Sequence, residues 1–294
     1  MSRAALDGAV VPSARRTPHG ASRAPVQTVA IAGGKGGTGK SSVAVNLAAA
    51  LGANGHEVLL LDGDLVLGDV ARLLDVDPRH DLSHVLRGER RLEEVLLRGP
   101  RGVVVVPGAD GAVEMASLSR LEHAGLIGLF SDLPTAADTL LVDLASGLSD
   151  AVLAFSQAVR EVILVVCDEP AALEEACTTV RVLHECCRVR RFRVVANRTE
   201  SARHGLDLYA SLARRLEREE DVLLDFCGSV PRDAQLVEAA RRRRSVIEAF
   251  PRSPAALAFA KLAARVARWP RPVAPCGHVE FFVERLIAAA PAQR

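Results

Sequence analysis

From residue 27 onward, short runs of consecutive apolar residues alternate with longer segments in which apolar positions recur every three or four residues. The runs QTVAIAG (27 to 33), EVLLLD (57 to 62), GVVVVP (102 to 107), TLLVD (139 to 143), EVILVVC (161 to 167) and RFRVVAN (191 to 197) are rich in Val, Ile and Leu, and VLLDFCGSV (222 to 230) is a seventh. Such runs read as strands buried on both faces, as in a parallel sheet. Between them, Val43, Leu47 and Leu51 stand one turn apart, so residues 42 to 51 can lay one stripe on that sheet. Segments 150 to 159, 172 to 183 and 202 to 216 behave similarly. The alternation predicts the α/β class, a doubly wound, mostly parallel sheet with helices on both faces. Ser253-Pro254 opens a further helix, Ala255 to Trp269, and Pro270, Pro272 and Pro275 then form a stiff linker. His278 to Ala290 reads as a closing helix with Val279, Phe282, Val283, Leu286 and Ala290 on one face and Glu280 and Glu284 beside it. The expected organisation is a disordered tail over 1 to 26, one domain over 27 to 269, and a linker with an amphipathic helix over 270 to 294.

Composition narrows the function classes. Of 294 residues, 49% are apolar and 25% charged, a globular balance, and with aromatics at 3% the core must be built of Ala, Leu and Val. A net charge of +1 gives no whole-molecule attraction to nucleic acid or anionic lipid. The six cysteines show no C-x-x-C pair and no histidine at zinc-finger spacing, so they read as reduced small hydrophobes. Residues 1 to 26 contain an Arg pair but no apolar export region, and no window reaches the roughly 18 apolar residues of a membrane span. The expectation is a soluble, cytoplasmic protein.

The strongest chemical signal is Gly34-Lys35-Gly36-Gly37-Thr38-Gly39-Lys40-Ser41, which matches G-x-x-x-x-G-K-[ST], follows a predicted strand and opens a predicted helix. Its glycines let backbone N–H groups curl around phosphate oxygens, and the helix N-terminus adds a positive end. Lys40 can reach the β and γ phosphates of ATP, the Ser41 hydroxyl can ligate Mg²⁺, and Ser42 offers a second hydroxyl. Lys35 is surplus, because one lysine suffices to hold the phosphates. Two acidic turns end strands on the same sheet edge, Asp62-Gly63-Asp64 and Asp143-Leu144-Ala145-Ser146-Gly147. Asp143 can hold Mg²⁺ through water, and the Gly147 N–H can contact the γ phosphate. Asn197, ending RFRVVAN, can present its amide to the N6 and N7 edge of adenine.

Lys35-Gly36-Gly37-Thr38-Gly39-Lys40-Ser41 resembles the K-G-G-x-G-K-[ST] loop of the deviant Walker A ATPases, the MinD and ParA family. The resemblance implies a MinD-like P-loop fold, ATP and Mg²⁺ as ligands, and an ATP-dependent homodimer in which Lys35 reaches the partner's nucleotide. It also implies that Asp62 supports the Mg²⁺ shell, that Asp64 orients the attacking water, and that Pro231 and Asp233 lie in the loop closing over the base. HAGLI (123 to 127), EVILVVCDEP (161 to 170), FRVVAN (192 to 197), EAFPRSPAALAF (248 to 259) and GHVEFFVERL (277 to 286) resemble the flagellar-number regulators of the FleN and FlhG type. That likeness implies a regulator that restrains a FleQ-type transcription activator and works beside an FlhF-type GTPase.

Three departures stand out: Leu144 and Ser146 replace the Thr and Ala of D-T-x-A-G, Gly63 replaces Ala, and EEACTTV (174 to 180) replaces a D-A-Y-type segment. The D-Q-A-x-x-L-R motif of some relatives is absent. Alternatives are a positioning ATPase acting on DNA through Arg241 to Arg244 with Arg188, Arg190, Arg191 and Arg193, or on membrane through the closing helix, and a non-hydrolysing ATP-binding scaffold. Clustered arginines without interleaved aromatics read better as a solvated surface, and glutamates beside the tail's apolar face favour docking on protein over lipid. An iron–sulfur role lacks a cysteine after Asp143.

Overall fold

The computed structural model describes residues 24 to 109 and 111 to 289, so most of the expected N-terminal tail, and Ala290, lie outside the described residues. The chain runs through β1 (Gln27–Ala32), α1 (Lys40–Ala53), β2 (Val58–Gly63), α2 (Val70–Leu73), α3 (Leu82–Leu86), β3 (Leu97–Arg98), β4 (Val104–Val106) and α4 (Arg120–Leu129). It continues through β5 (Thr139–Leu144), α5 (Asp150–Ala158), β6 (Glu161–Val166), α6 (Pro170–Cys187), β7 (Arg191–Thr199) and α7 (Ala202–Arg215). The last elements are β8 (Leu223–Pro231), α8 (Ala234–Arg241), α9 (Val246–Ala249), α10 (Pro254–Val266) and α11 (Val283–Ala289). The strands form one sheet in the order β3-β4-β2-β5-β1-β6-β7-β8, parallel except for the β3–β4 pair.

Strand periodicity explains the two layers of helix. Ala30, Ala32, Leu59, Leu61, Leu140 and Val142 face one side, where Phe130 at the end of α4, Phe155 of α5 and Leu183 of α6 cover them. Their neighbours Val29, Ile31, Val58, Leu60 and Leu141 face the other side, against Leu47 of α1 and Phe259 of α10. Both faces are dry, so the strands need no polar alternate positions.

Three expectations change. The edge strand β3 is an eighth strand, and at two residues it is too short to leave a period in the sequence. The run 102 to 107 narrows to β4, because Arg101 and Gly102 turn with φ of 56° and 79°. The closing helix starts at Val283 and not at His278: Phe282 takes a left-handed φ of 57°, which interrupts helical geometry there.

That break reorganises the tail. Phe281 and Phe282 are both buried, with Phe281 edge-on to Phe130 at 4.9 Å between centroids and stacked on Phe155 at 6.0 Å. Glu280, read from the sequence as standing beside the apolar face, is buried and ion-paired with Arg160 at 2.9 Å. Arg285 donates to the carbonyls of Ala137 and Thr135 at 2.9 and 2.6 Å. Val279, expected on the apolar face, is exposed, whereas Leu286 is buried. Burying a phenyl ring contributes about 1.5–3 kcal/mol, and truncating it to Ala costs about 3–5 kcal/mol with the cavity included. Phe281→Ala should therefore destabilise the protein by about 3 kcal/mol in urea unfolding. Ile287→Ala, at an exposed position of the same segment, should stay within about 0.5 kcal/mol. Equal effects would show that the tail is not docked.

Candidate functional site

The carboxyl ends of β1, β2 and β5 build the site, because parallel register puts their last residues at one level. Asp143 of β5 is opposite Asp62 of β2 and Ile31 of β1. Adjacent strands lie about 4.8 Å apart, so the two carboxylates are neighbours. The loop leaving β1 then arcs over this edge and enters α1 at Lys40.

A cleft of about 240 Å³ opens here, lined by Gly37, Gly39, Lys40, Ser41, Ser42, Asp62, Asp64, Asp143 and Ser146. Lys40 is buried, and its Nζ donates to Ser146 Oγ at 2.7 Å. Burial pulls the Lys40 pKa down, while the charges of Asp143 and Asp64 oppose that. Asp62 is buried, with Oδ1 accepting the Asp64 N–H at 3.2 Å and Oδ2 the Val70 N–H at 3.0 Å. Burial, and then the charge of Asp143, hold its carboxyl well above the usual range. Asp143 is also buried and is pushed up to about 7 by desolvation, against the opposing Ser41 hydrogen bond and Lys40 charge. Asp64 Oδ1 accepts the Leu67 N–H at 3.0 Å, which shapes the turn after β2.

The other predicted residues are placed around this centre. Gly34 is buried, Gly36 and Gly37 are exposed, and Gly147 turns at the surface with φ 86° after β5. Lys35 stands at the rim, 2.9 Å from Glu169 in the turn after β6. Asn197 does not point freely at a base: its Nδ2 donates to the Thr38 carbonyl at 2.8 Å. Asp233 caps α8 through the Gln235 N–H at 2.8 Å and accepts the Ala255 N–H at 2.9 Å, so both its oxygens hold backbone. Pro231 ends β8, opposite Thr199. Two partners were not legible in the sequence pattern. Ser146, noted only as a departure, is the hydroxyl that receives Lys40, and Glu169, inside the C-D-E-P run, is the carboxylate that receives Lys35. Leu144 is buried among core residues.

The donors fit a nucleotide phosphate chain with a hard divalent cation. Asp143 Oδ1 is buried without a hydrogen-bond partner, and the Gly37 edge is open, with nothing within 4 Å of a Cβ position. Ser41, Asp62 and Asp143 offer oxygen, the donor that Mg²⁺ selects. Among the described residues no cluster of three His, Cys, Asp or Glu forms a protein-only cage. Mg²⁺ needs none, since it keeps waters and shares substrate phosphates.

A phosphate loop over paired strand-end acids defines the class, a P-loop nucleotide-binding protein of MinD-like fold. Residues 29–246 match the CobQ/CobB/MinD/ParA nucleotide-binding domain, and the chain belongs to that family, within it to the FleN and FlhG type. It is 47% identical over 263 residues to the antiactivator FleN of Pseudomonas aeruginosa, covering 90% of this chain and 94% of that protein. It is 25% identical over 224 residues to the flagellum site-determining protein YlxH of Helicobacter pylori, covering 76% of each. Among solved structures it is similar to MinD of Pyrococcus horikoshii complexed with Mg-ADP, with TM-score 0.69 and 25% identity, over 83% of this chain and 96% of that one. ATP and Mg²⁺ are the ligands for which the site is built.

The raised carboxyls carry a pH signature. Asp143 keeps its proton up to about pH 7 when folded, whereas an unfolded Asp ionises near 4. The folded state therefore binds more protons between those values, and this contribution to stability falls as pH rises through the window. In protein free of nucleotide and Mg²⁺, Asp143→Asn should raise the melting temperature, by a margin that widens from pH 5 to pH 8. A margin constant with pH would contradict the assignment.

Proposed function

We propose that the chain is an ATP-dependent, dimerising regulatory ATPase that controls flagellar number or placement by restraining a transcription activator of the FleQ type. The observation that carries this reading is its likeness, over nine-tenths of its length, to a protein named as an antiactivator. An FlhF-type GTPase is a second proposed partner, and the proposed location is the cytoplasm. No helix among the described residues is long and apolar enough to cross a membrane.

In the proposed mechanism, the loop N–H groups and Lys40 hold the phosphates, while Ser41, Asp62 and Asp143 secure the Mg²⁺ shell. When bound by these residues, Mg²⁺ would supply neutralisation of the phosphate charge. Asp64 orients water, Gly147 meets the γ phosphate, and Lys35 leaves Glu169 to reach the nucleotide of a second copy. The contrast between a buried Lys40 and a rim Lys35 supports that division of labour.

The DNA and membrane alternatives lose support from the ion pairs and the tail. Arg193 is held by Glu161 and Asp225, Arg242 by Glu238 and Arg243 by Asp75. The tail rings Phe281 and Phe282 are covered by the domain.

Sizing with ADP and with ATP, followed by binding of the ATP form to a FleQ-type activator, tests the whole reading. A monomer under both conditions that ignores the activator would refute it. Lys40→Ala should abolish nucleotide binding, whereas Lys35→Ala should bind ATP and stay monomeric. Asp64→Ala should keep ATP affinity while turnover falls about 10- to 1000-fold, roughly 1.4 to 4 kcal/mol. Parallel loss of affinity and turnover would make Asp64 a turn-forming residue only.

A further inference from the structure

Asn197 has a place in the nucleotide site that reading a base does not account for. It lies two residues before the end of β7 and is itself only 5% exposed. Its Nδ2 donates to the carbonyl of Thr38, inside the phosphate loop, at 2.8 Å. Its Oδ1 accepts the N–H of Arg198 at 2.9 Å, which fixes which end of the amide faces the loop. Arg198 has a φ of 57°, a left-handed conformation that costs a non-glycine residue energy and is kept where surrounding contacts enforce it. On the loop side, Gly39 has φ 93°, and a Cβ there would lie 2.4 Å from Asn197 Nδ2. The absence of a side chain at residue 39 is what lets the carboxamide come so close.

We infer that Asn197 is a positioning residue for the phosphate loop, a brace that makes the end of β7 and the Thr38–Lys40 turn move as one body. This rests on the reading of the cleft as an ATP site and deepens it: the end of β7 then sets the geometry that the loop offers to the phosphates. Without the donor, the Thr38 carbonyl loses its partner in a buried setting, and the loop relaxes.

Two measurements separate a brace from a base reader. Affinity for ATP and for inosine triphosphate, which lacks the adenine amino group, is compared in the unmodified protein, Asn197→Ala and the isosteric Asn197→Asp, whose carboxylate would face the Thr38 carbonyl. A brace predicts that both nucleotides weaken by the same factor, about tenfold or more. Loss of ATP affinity with inosine triphosphate unchanged, or no loss of either, overturns the inference. In nucleotide-free protein, amide hydrogen exchange at residues 36 to 41 should accelerate in both variants while the β5 and β6 amides keep their protection. Unchanged loop exchange overturns the inference, and so does acceleration spread evenly over the sheet. If the unmodified protein bound neither nucleotide, the ATP reading would fail by itself and the exchange result would still decide the brace.

Discussion

Two carboxylates side by side in a dry place are the constraint on which this fold turns. Asp62 and Asp143 face each other across β2 and β5, both are buried, and the charge of Asp143 strengthens the hold of Asp62 on its proton. Burying like charges is unfavourable without compensation, and the surrounding sequence supplies it locally. Backbone N–H groups of Asp64 and Val70 satisfy Asp62, while Ser41 and Lys40 serve Asp143. Lys40, desolvated in its turn, needs nearby acids to keep its charge, Asp143 first among them. One oxygen of Asp143 stays without a partner, which leaves the group of acids and lysine poised for a hard cation.

Gly63, between Asp62 and Asp64 in the chain, shows how far this constraint reaches. A Cβ there would fall 2.8 Å from the Asp143 carbonyl and 3.4 Å from Phe155. The glycine at this position is thus matched first to β5, whose Asp143 carbonyl and Val142 side chain lie 2.8 and 3.0 Å from where a Cβ would stand, with Phe155 of α5 next to them. Phe155 is in turn stacked on Phe281 of the tail, and α5 begins just after the Asp143–Gly147 turn. The tail, held by Glu280 and Arg285, therefore supports from below the helix that follows the site.

The fold class and the loop were legible because both rest on local periodicity and spacing: strands buried on two faces, and a glycine pattern between strand and helix. The partners were not, because they depend on which strand ends meet. Glu169 lies 134 residues from Lys35 and Ser146 lies 106 from Lys40, so no window contains either pair. Asn197 was visible as a polar residue ending a strand, yet its carboxamide turns to Thr38, a contact spanning 159 residues. The tail misled for a local reason. Its apolar residues do fit a helical period from Val279 to Leu286, but the period contains no sign of the left-handed turn at Phe282 or of the Arg160 partner that takes Glu280 inside.

The two lysines of the loop follow from the same physics in opposite directions. Lys40 is desolvated among acids, so its position is fixed and its charge depends on its neighbours. Lys35 pairs with Glu169 where both side chains are about half exposed, at 41% and 46%. An ion pair in water is weak because solvent screens it and two long side chains must be ordered to make it. Such a contact can steady Lys35 without locking it, and Glu169 raises the hold of Lys35 on its proton, so the lysine stays cationic at the rim. The exchange of this carboxylate for an external phosphate, proposed above for Lys35, would need both properties: a charge that does not depend on burial and a partner that is easily surrendered. The loop therefore places its two lysines in opposite settings within eight residues, Lys40 inside the sheet edge and Lys35 outside it.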